Sequence, residues 1–200
     1  MTVPDVERTG RHLRLAEEGF RDRGTTFGVY SRQRWRAHLR ESSLRYRLLV
    51  AAGTATEAIR HSGGLLFDAC AAGWEVIVAT PDPRGLRGLE LLGAIVMNPG
   101  SDPAPLLHEV NPHVLVLADV WPAMALNAPP AVLWTTNHTG LHRAQHPLSL
   151  AGTAFKQHAL RAAALDEPAS TAETFWSNRR GRHRGLPRSL GLTFTAPAPE

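Results

Sequence analysis

The chain of 200 residues has the length of one domain with added segments, and its composition, 43% hydrophobic and 20% charged, is ordinary for a globular protein. Its single cysteine, Cys70, excludes an intramolecular disulfide and a multi-cysteine metal site. Charged residues interrupt residues 1–44 throughout, which argues against a signal peptide or a membrane span and predicts a cytoplasmic protein without a membrane partner. The formal net charge is +4, and arginine is concentrated towards both ends of the chain.

Residues 1–44 predict an arginine-rich helical arm. In the run from Tyr30 onwards, Tyr30, Trp35 and Leu39 are spaced so that they form an apolar edge on an otherwise polar helix. This edge predicts that the arm packs against the domain or against a partner.

From Arg45 the pattern changes to alternating strands and helices, which is typical of a parallel sheet. Five apolar runs predict strands, at residues 48–52, 74–80, 94–97, 113–118 and 131–135. With short connections and right-handed crossovers, residues 45–165 predict an α/β fold, a three-layer Rossmann-like open parallel sheet of about five strands in the order 3-2-1-4-5.

The helix after the first strand has two informative features. Thr54 and Glu57 have the spacing of a capping box, which predicts the start of the helix. Gly63 and Gly64 lie inside it, where each glycine costs about 1 kcal/mol relative to alanine. We interpret the pair as allowing a close approach between this helix and the sheet.

After Thr136 the signals weaken. One helix is predicted from about Leu150 to Leu165. Residues 166–200 form a basic, proline-containing segment without an apolar face, which predicts a flexible, partly disordered tail, or one that orders only on a partner.

In open α/β sheets the ligand crevice lies beyond the carboxyl ends of the strands. This rule selects six candidate ligand-binding residues: Gly53, Thr54, Asp119, Thr136, Asn137 and His138. Neither G-x-G-x-x-G nor a phosphate-binding G-x-x-x-x-G-K-[ST] loop is present, so no cofactor is identified and no catalytic residue is assigned.

Two further polar features have ordinary explanations. His138, His142 and His146 recur every four residues, but Gly140 and Pro147 disfavour a helix there, so we predict a polar loop and no metal site. Asp82 follows the second strand, where an Asp-Pro sequence indicates a helix start more often than a ribose-binding acid.

Two stretches resemble the N-terminal Rossmann-like half of GT-B glycosyltransferases. They are residues 61–81, with Gly63-Gly followed by a helix and Trp74-Glu-Val-Ile-Val, and residues 112–122, which begin Pro-His-Val-Leu-Val-Leu. The resemblance implies a half-enzyme that needs a partner, because the residues after His138 are too few for the second domain of that family.

The same helix and strand also resemble the opening of sugar-deacetylase-like folds. Those folds carry a P-H-x-D-D metal motif, whereas this chain has Ala52-Gly-Thr-Ala-Thr-Glu57 in its place. The resemblance therefore implies that the corresponding hydrolase chemistry is absent.

Two functional hypotheses follow, and whether the protein is an enzyme stays open between them. The first is a Rossmann-like domain that binds a small molecule such as a nucleotide or sugar nucleotide. In this hypothesis the domain could be a glycosyltransferase-like half that needs a partner. The alternative is a non-catalytic assembly protein that binds a protein partner, a second copy of itself or nucleic acid through its arginine-rich ends. The residues proposed for that role are Arg34, Trp35, Arg36, Arg179, Arg180 and Arg182.

Overall fold

The computed structural model describes residues 28–41, 45–101, 104–118, 131–177 and 190–194. The helices are α1 Arg32–Glu41, α2 Ala55–Ala71, α3 Leu86–Leu91, α4 Ala104–Val110 and α5 Leu150–Ala162. The strands are β1 Val29–Tyr30, β2 Arg47–Ala51, β3 Glu75–Ala79, β4 Ile95–Met97, β5 Val114–Leu117, β6 Ala131–Trp134, β7 His142–Pro147, β8 Ala172–Ser177 and β9 Thr193–Phe194. These strands form one sheet in the order β1-β4-β3-β2-β5-β6-β8-β7-β9.

The five predicted strands are present as β2, β3, β4, β5 and β6. They pair in parallel, and their order in the sheet is the predicted one. Helices cover both faces of this part of the sheet, so β3 and β5 are buried at every position. β5 is apolar throughout, and β3 is apolar apart from its first residue, Glu75, which pairs with Arg47 of β2.

The predicted size and type of the sheet were wrong, because the sheet has nine strands and is mixed. β1 adds in parallel to β4, whereas β8 is antiparallel to both β6 and β7, and β9 is antiparallel to β7. β7 lies in the predicted polar loop, and β8 lies in the segment predicted as a flexible tail. Their buried positions include His146, Glu173 and Ser177, so alternation of apolar and polar residues does not reveal them.

The sheet separates two hydrophobic clusters. α2, α3 and α5 cover one face, and α1 and α4 cover the other. Trp35 of α1 is 0% exposed, and its Nε1 donates to the carbonyl of Glu109 at 3.3 Å. The described part of the predicted arm therefore packs on the sheet, while residues 1–27 of that arm and residues 178–189 and 195–200 of the predicted tail lie outside the described residues.

None of the described helices is both long enough and apolar enough to cross a bilayer.

A buried ion pair joins α2, α5 and β8. Lys156 Nζ lies 2.6 Å from Glu173 Oε1, and both side chains are almost completely buried. The same carboxylate accepts the backbone N–H groups of Gly64 at 2.8 Å and Leu65 at 2.9 Å. A Cβ at Gly64 would lie 2.3 Å from the side chain of Leu148, so the helix requires glycine at this close approach.

The Asp68 carboxylate is a second junction. It accepts the N–H of Ser149 at 3.0 Å and also the Ser149 hydroxyl, which caps α5, and it lies 3.0 Å from His146 Nε2. His146 Nδ1 lies 2.9 Å from the carbonyl of Leu190. This carboxylate on α2 thus holds the end of β7, the start of α5 and the residues that lead into β9.

We expect Trp35→Ala to lower the free energy of unfolding by about 3–5 kcal/mol, because it removes a fully buried aromatic side chain between α1 and the sheet. Urea unfolding followed by far-UV circular dichroism measures the change. Arg34→Ala on the same helix is the control and should cost much less. If both variants lost the same free energy of unfolding, the packing of Trp35 against the sheet would not be what holds α1 in place.

We expect Glu173→Ala to destabilise the protein by about 3–5 kcal/mol, since it leaves the Lys156 charge buried without its partner. The control is Glu167→Ala, which removes an ion pair with Arg60 that is exposed to solvent and should cost about 1 kcal/mol or less. Chemical unfolding of both variants provides the comparison, and a small loss for Glu173→Ala would contradict the assigned role.

Candidate functional site

The turns after β2 and β6 lie at the carboxyl edge of the sheet, as the strand-end rule predicts. Gly53 and Thr54 follow β2, and Thr136, Asn137 and His138 follow β6. β5 lies between these two strands, and Asp119, which follows β5, is outside the described residues. The structure therefore places five of the six predicted residues at one edge, in two separate turns.

The turn after β2 is closed by a capping box. Thr54 has extended backbone angles and accepts the N–H of Glu57 on its hydroxyl oxygen at 3.0 Å. In return, Glu57 Oε2 accepts the N–H of Gly53 at 2.8 Å. The predicted helix start is correct, and both the Glu57 carboxylate and the Gly53 N–H are used within the turn itself.

The turn after β6 is more exposed. Thr135 is buried and donates its N–H to the carbonyl of Leu117 at 2.9 Å, which continues the sheet by one residue. Thr136 Oγ1 lies 3.3 Å from His138 Nε2, and Asn137 and His138 are exposed. These residues do not line the concave surface that forms around Thr54.

That concave surface, called the groove below, has a volume of about 610 Å³. It lies between the start of α2, the loop from β3 to α3 and the end of α5. Its lining residues are Thr54, Thr56, Asp82, Arg84, Gly85, Ala162, Ala163 and Ala164. Two threonines and a charged pair thus line one side of the groove, and three alanines line the other.

Asp82 and Arg84 form the charged part of the groove. Arg84 Nε lies 2.8 Å from Asp82 Oδ2, and the N–H of Arg84 donates to Asp82 Oδ1 at 3.0 Å. Hydrogen bonds from the Arg84 side chain and backbone hold the pKa of the Asp82 carboxyl below its ordinary value. Asp82 is therefore an ionised acceptor. It lies in the turn before α3 and does not cap that helix, whose N-cap is Gly85, so the interpretation of Asp82 as a helix start was wrong.

The groove includes residues that sequence reasoning did not select. Thr56, Arg84 and Gly85 belong to no known motif, and Asp82 was weighed only as a helix start or a ribose-binding acid. The run Asp82-Pro-Arg-Gly85 directly after a buried strand is the signal that was available. The alanines of the groove lie at the end of α5. The strand-end rule does not select them, because it selects only residues that follow strands.

The histidine series forms no shared site. His142 and His146 lie in strand β7, where four residues span about 13 Å, so their rings are too far apart to hold one metal ion. His146 is instead oriented by Asp68, and because that carboxylate comes from α2, it was not evident near the histidines in the sequence.

The proposed partner-binding residues are only partly available. Trp35 is completely buried, so it does not offer a stacking surface to a nucleic acid base. Arg34 lies over the Tyr30 ring at 4.1 Å, and Arg36 pairs with Glu109. Arg179, Arg180 and Arg182 are outside the described residues, so binding of nucleic acid, protein or a second copy stays a prediction.

The comparisons with known proteins identify the fold through solved structures alone. No family model matches the sequence, and no curated protein matches it. The A40926 pseudoaglycone deacetylase Dbv21 matches with a TM-score of 0.53 and 15% identity, over 67% of this chain and 97% of that one. A deacetylase from the teicoplanin biosynthetic pathway, as a triple mutant, matches at 0.50 with 12% identity, over 66% of this chain and 97% of that one. A deacetylase–teicoplanin complex matches at 0.50 with 13% identity and the same coverage of both chains.

These matches overturn the resemblance to glycosyltransferases. The predictions of a GT-B half and of a domain that binds a nucleotide or sugar nucleotide were wrong, because the fold is shared with deacetylases. The geometry agrees, since the Gly53 N–H that would approach a pyrophosphate is bonded to Glu57. The other resemblance, to sugar-deacetylase-like folds, is the one that the matching structures support.

The residues of the turn after β2 do not fit the metal that the P-H-x-D-D motif of such folds would hold. At the positions of the motif's histidine and first aspartate, Gly53 has no side chain and Ala55 has only a methyl group. The second aspartate position holds Thr56, whose hydroxyl donates to the carbonyl of Arg84 at 3.3 Å, and the following carboxylate, Glu57, accepts a backbone N–H. Across the described parts of the chain, no three His, Cys, Asp or Glu side chains are grouped so that they could hold a metal ion.

We expect Thr54→Ala to lower the free energy of unfolding by about 1 kcal/mol, since it removes the hydroxyl that caps α2. Hydrogen exchange of the Glu57 amide should accelerate in the same variant. Glu57→Gln is the matched control, because its amide oxygen can still accept the N–H of Gly53. The capping role would be contradicted if Thr54→Ala left both the stability and the exchange of Glu57 unchanged.

Proposed function

We propose that this chain is a sugar-binding protein built on a deacetylase fold, which binds an N-acetylated sugar at the carboxyl edge of its sheet and leaves the amide intact. The observation that carries the proposal is the turn after β2. Set beside the P-H-x-D-D motif, this turn has Gly53, Ala55 and Thr56 at the positions of the histidine and the two aspartates. The next residue, Glu57, accepts the backbone N–H of Gly53.

Amide hydrolysis needs chemical groups that the turn after β2 lacks. The attacking water must be activated by a general base or by a metal ion. Glu57 is the one carboxylate in residues 52–57, and one of its oxygens accepts the N–H of Gly53, while the Thr54 hydroxyl accepts the N–H of Glu57. The proposal assigns both side chains to capping α2, which leaves the turn without a base or a set of metal ligands. Binding then takes place without the step that would break the amide.

The ligand class comes from the proteins that share the fold. The matching chains are described as deacetylases, one of them for the A40926 pseudoaglycone and one in complex with teicoplanin. An acetylated sugar is the part of such a ligand that a carbohydrate deacetylase-like fold would accommodate. The mixed polar and apolar groove beside Thr54 is of a size usual for small-molecule sites.

Calorimetric titration with N-acetylglucosamine, together with a measurement of released acetate, tests the proposal. We expect saturable binding, with weaker binding of glucosamine, and no release of acetate with or without added Zn²⁺. The Glu57→Gln variant should behave as the unmodified protein does, because its role is structural.

Two results would overturn the proposal. Release of acetate that increases with Zn²⁺ and disappears in Glu57→Gln would make the protein a deacetylase. A failure of the unmodified protein to bind any N-acetylated sugar, including the teicoplanin scaffold, would remove the ligand class.

A further inference from the structure

The groove has two chemically different walls. On one side lie Thr54 and Thr56 with the Asp82–Arg84 pair, and on the other lie Ala162–Ala164. A Cβ at Gly85 would lie 3.3 Å from both Ala163 Cβ and Thr56 Oγ1, so the missing side chain keeps the floor between the walls open.

The backbone of Asp82 is held in place before any ligand arrives. The carbonyl of Asp82 accepts the N–H of Ala55 at 3.1 Å and the hydroxyl of Thr80 at 3.1 Å. The N–H of Asp82 donates in return to Thr80 Oγ1 at 3.2 Å, and its carboxylate accepts the N–H of Arg84 at 3.0 Å. Asp82 is therefore fixed to the start of α2 and to the end of β3, and ligand binding would have to order only the Arg84 side chain.

The charged pair favours a neutral ligand with adjacent hydroxyls. Asp82 supplies an acceptor beside the donor groups of Arg84, whose side chain is 86% exposed. Each hydroxyl of a vicinal diol both donates and accepts, so two adjacent hydroxyls match this pair. A phosphate or carboxylate ligand would instead be repelled by the negative charge of Asp82, whose carboxylate already pairs with the Arg84 guanidinium.

We infer that the groove binds the vicinal diol of a pyranose, with the two hydroxyls on Asp82 and Arg84 and the C–H face of the ring against Ala162–Ala164. This inference rests on the proposed function and deepens it, because it names the residues that would hold the sugar. It places that contact beside Thr54 and away from Thr136–His138.

The test is a titration of the isotope-labelled protein with methyl β-glucopyranoside, followed by amide chemical shifts. We expect saturable shifts at Thr56, Arg84, Gly85 and Ala163. The 2,3-di-O-methyl derivative has no two adjacent hydroxyls and should leave these amides unchanged. Absence of shifts with the parent glycoside, or equal shifts with both compounds, would overturn the inference.

Variants locate the contact independently. Arg84→Gln and Asp82→Asn should each weaken binding by at least about tenfold, because each removes a charged hydrogen-bond partner. Arg60→Gln, which alters a surface arginine of α2 outside the groove, should bind as the unmodified protein does. If Asn137→Ala weakens binding and Arg84→Gln does not, the sugar binds after β6 and the inference is wrong.

The methyl glycoside carries no acyl group, so this experiment is separate from the test of the proposed function. Release of acetate from N-acetylglucosamine would overturn the non-hydrolytic proposal and leave the groove assignment standing. Binding of N-acetylglucosamine that is unaffected by Arg84→Gln and Asp82→Asn would overturn the groove assignment and leave the non-hydrolytic proposal standing.

Discussion

The buried pair of Lys156 and Glu173 is the constraint on which the arrangement of α2, α5 and β8 depends. Two charges removed from water are tolerated only if the carboxylate oxygens gain further hydrogen bonds. Here the N–H groups of Gly64 and Leu65 supply them, so α2 lies close to β8, and glycine at position 64 also lets α2 pass close to the side chain of Leu148. The position of α2 relative to α5 follows, and with it the width of the groove between the start of one helix and the end of the other.

The parallel strands β2 to β6 could be predicted from the sequence, whereas the antiparallel strands β7, β8 and β9 could not. Strands β2 to β6 are apolar on both faces, so each could be recognised by itself and ordered by the handedness of its connection. β7 and β8 bury His146 and Glu173, and these polar residues are compatible with a core because His146 contacts Asp68 and Glu173 contacts Lys156 and the backbone of α2. The partners on α2 are 78 to 109 residues away along the chain and Lys156 is 17 residues away, beyond the reach of any local periodicity.

The candidate site could be predicted to a similar extent. The strand-end rule selected Gly53 and Thr54, of which Thr54 lines the groove, and the Thr-x-x-Glu spacing predicted the cap, because both are local consequences of a strand followed by a helix. The wall at Ala162–Ala164 could not be predicted, since it depends on where α5 packs. Packing of Trp35 against the domain was one of the two outcomes that the apolar edge of α1 predicted, and the assignment of the same residue to partner binding was wrong because its side chain is buried.

The turn after β2 connects fold and function through one requirement, which is that its backbone N–H groups need acceptors. A fold that uses this turn for catalysis must leave acidic side chains available and satisfy the backbone in another way. In this chain Thr54 and Glu57 cap the helix, so the stability of α2 and the chemistry of the turn compete for the same carboxylate. Since that competition is resolved in favour of the helix, the charged groups left to contact a ligand beside the turn are those of the neighbouring loop, Asp82 and Arg84, which can recognise hydroxyls.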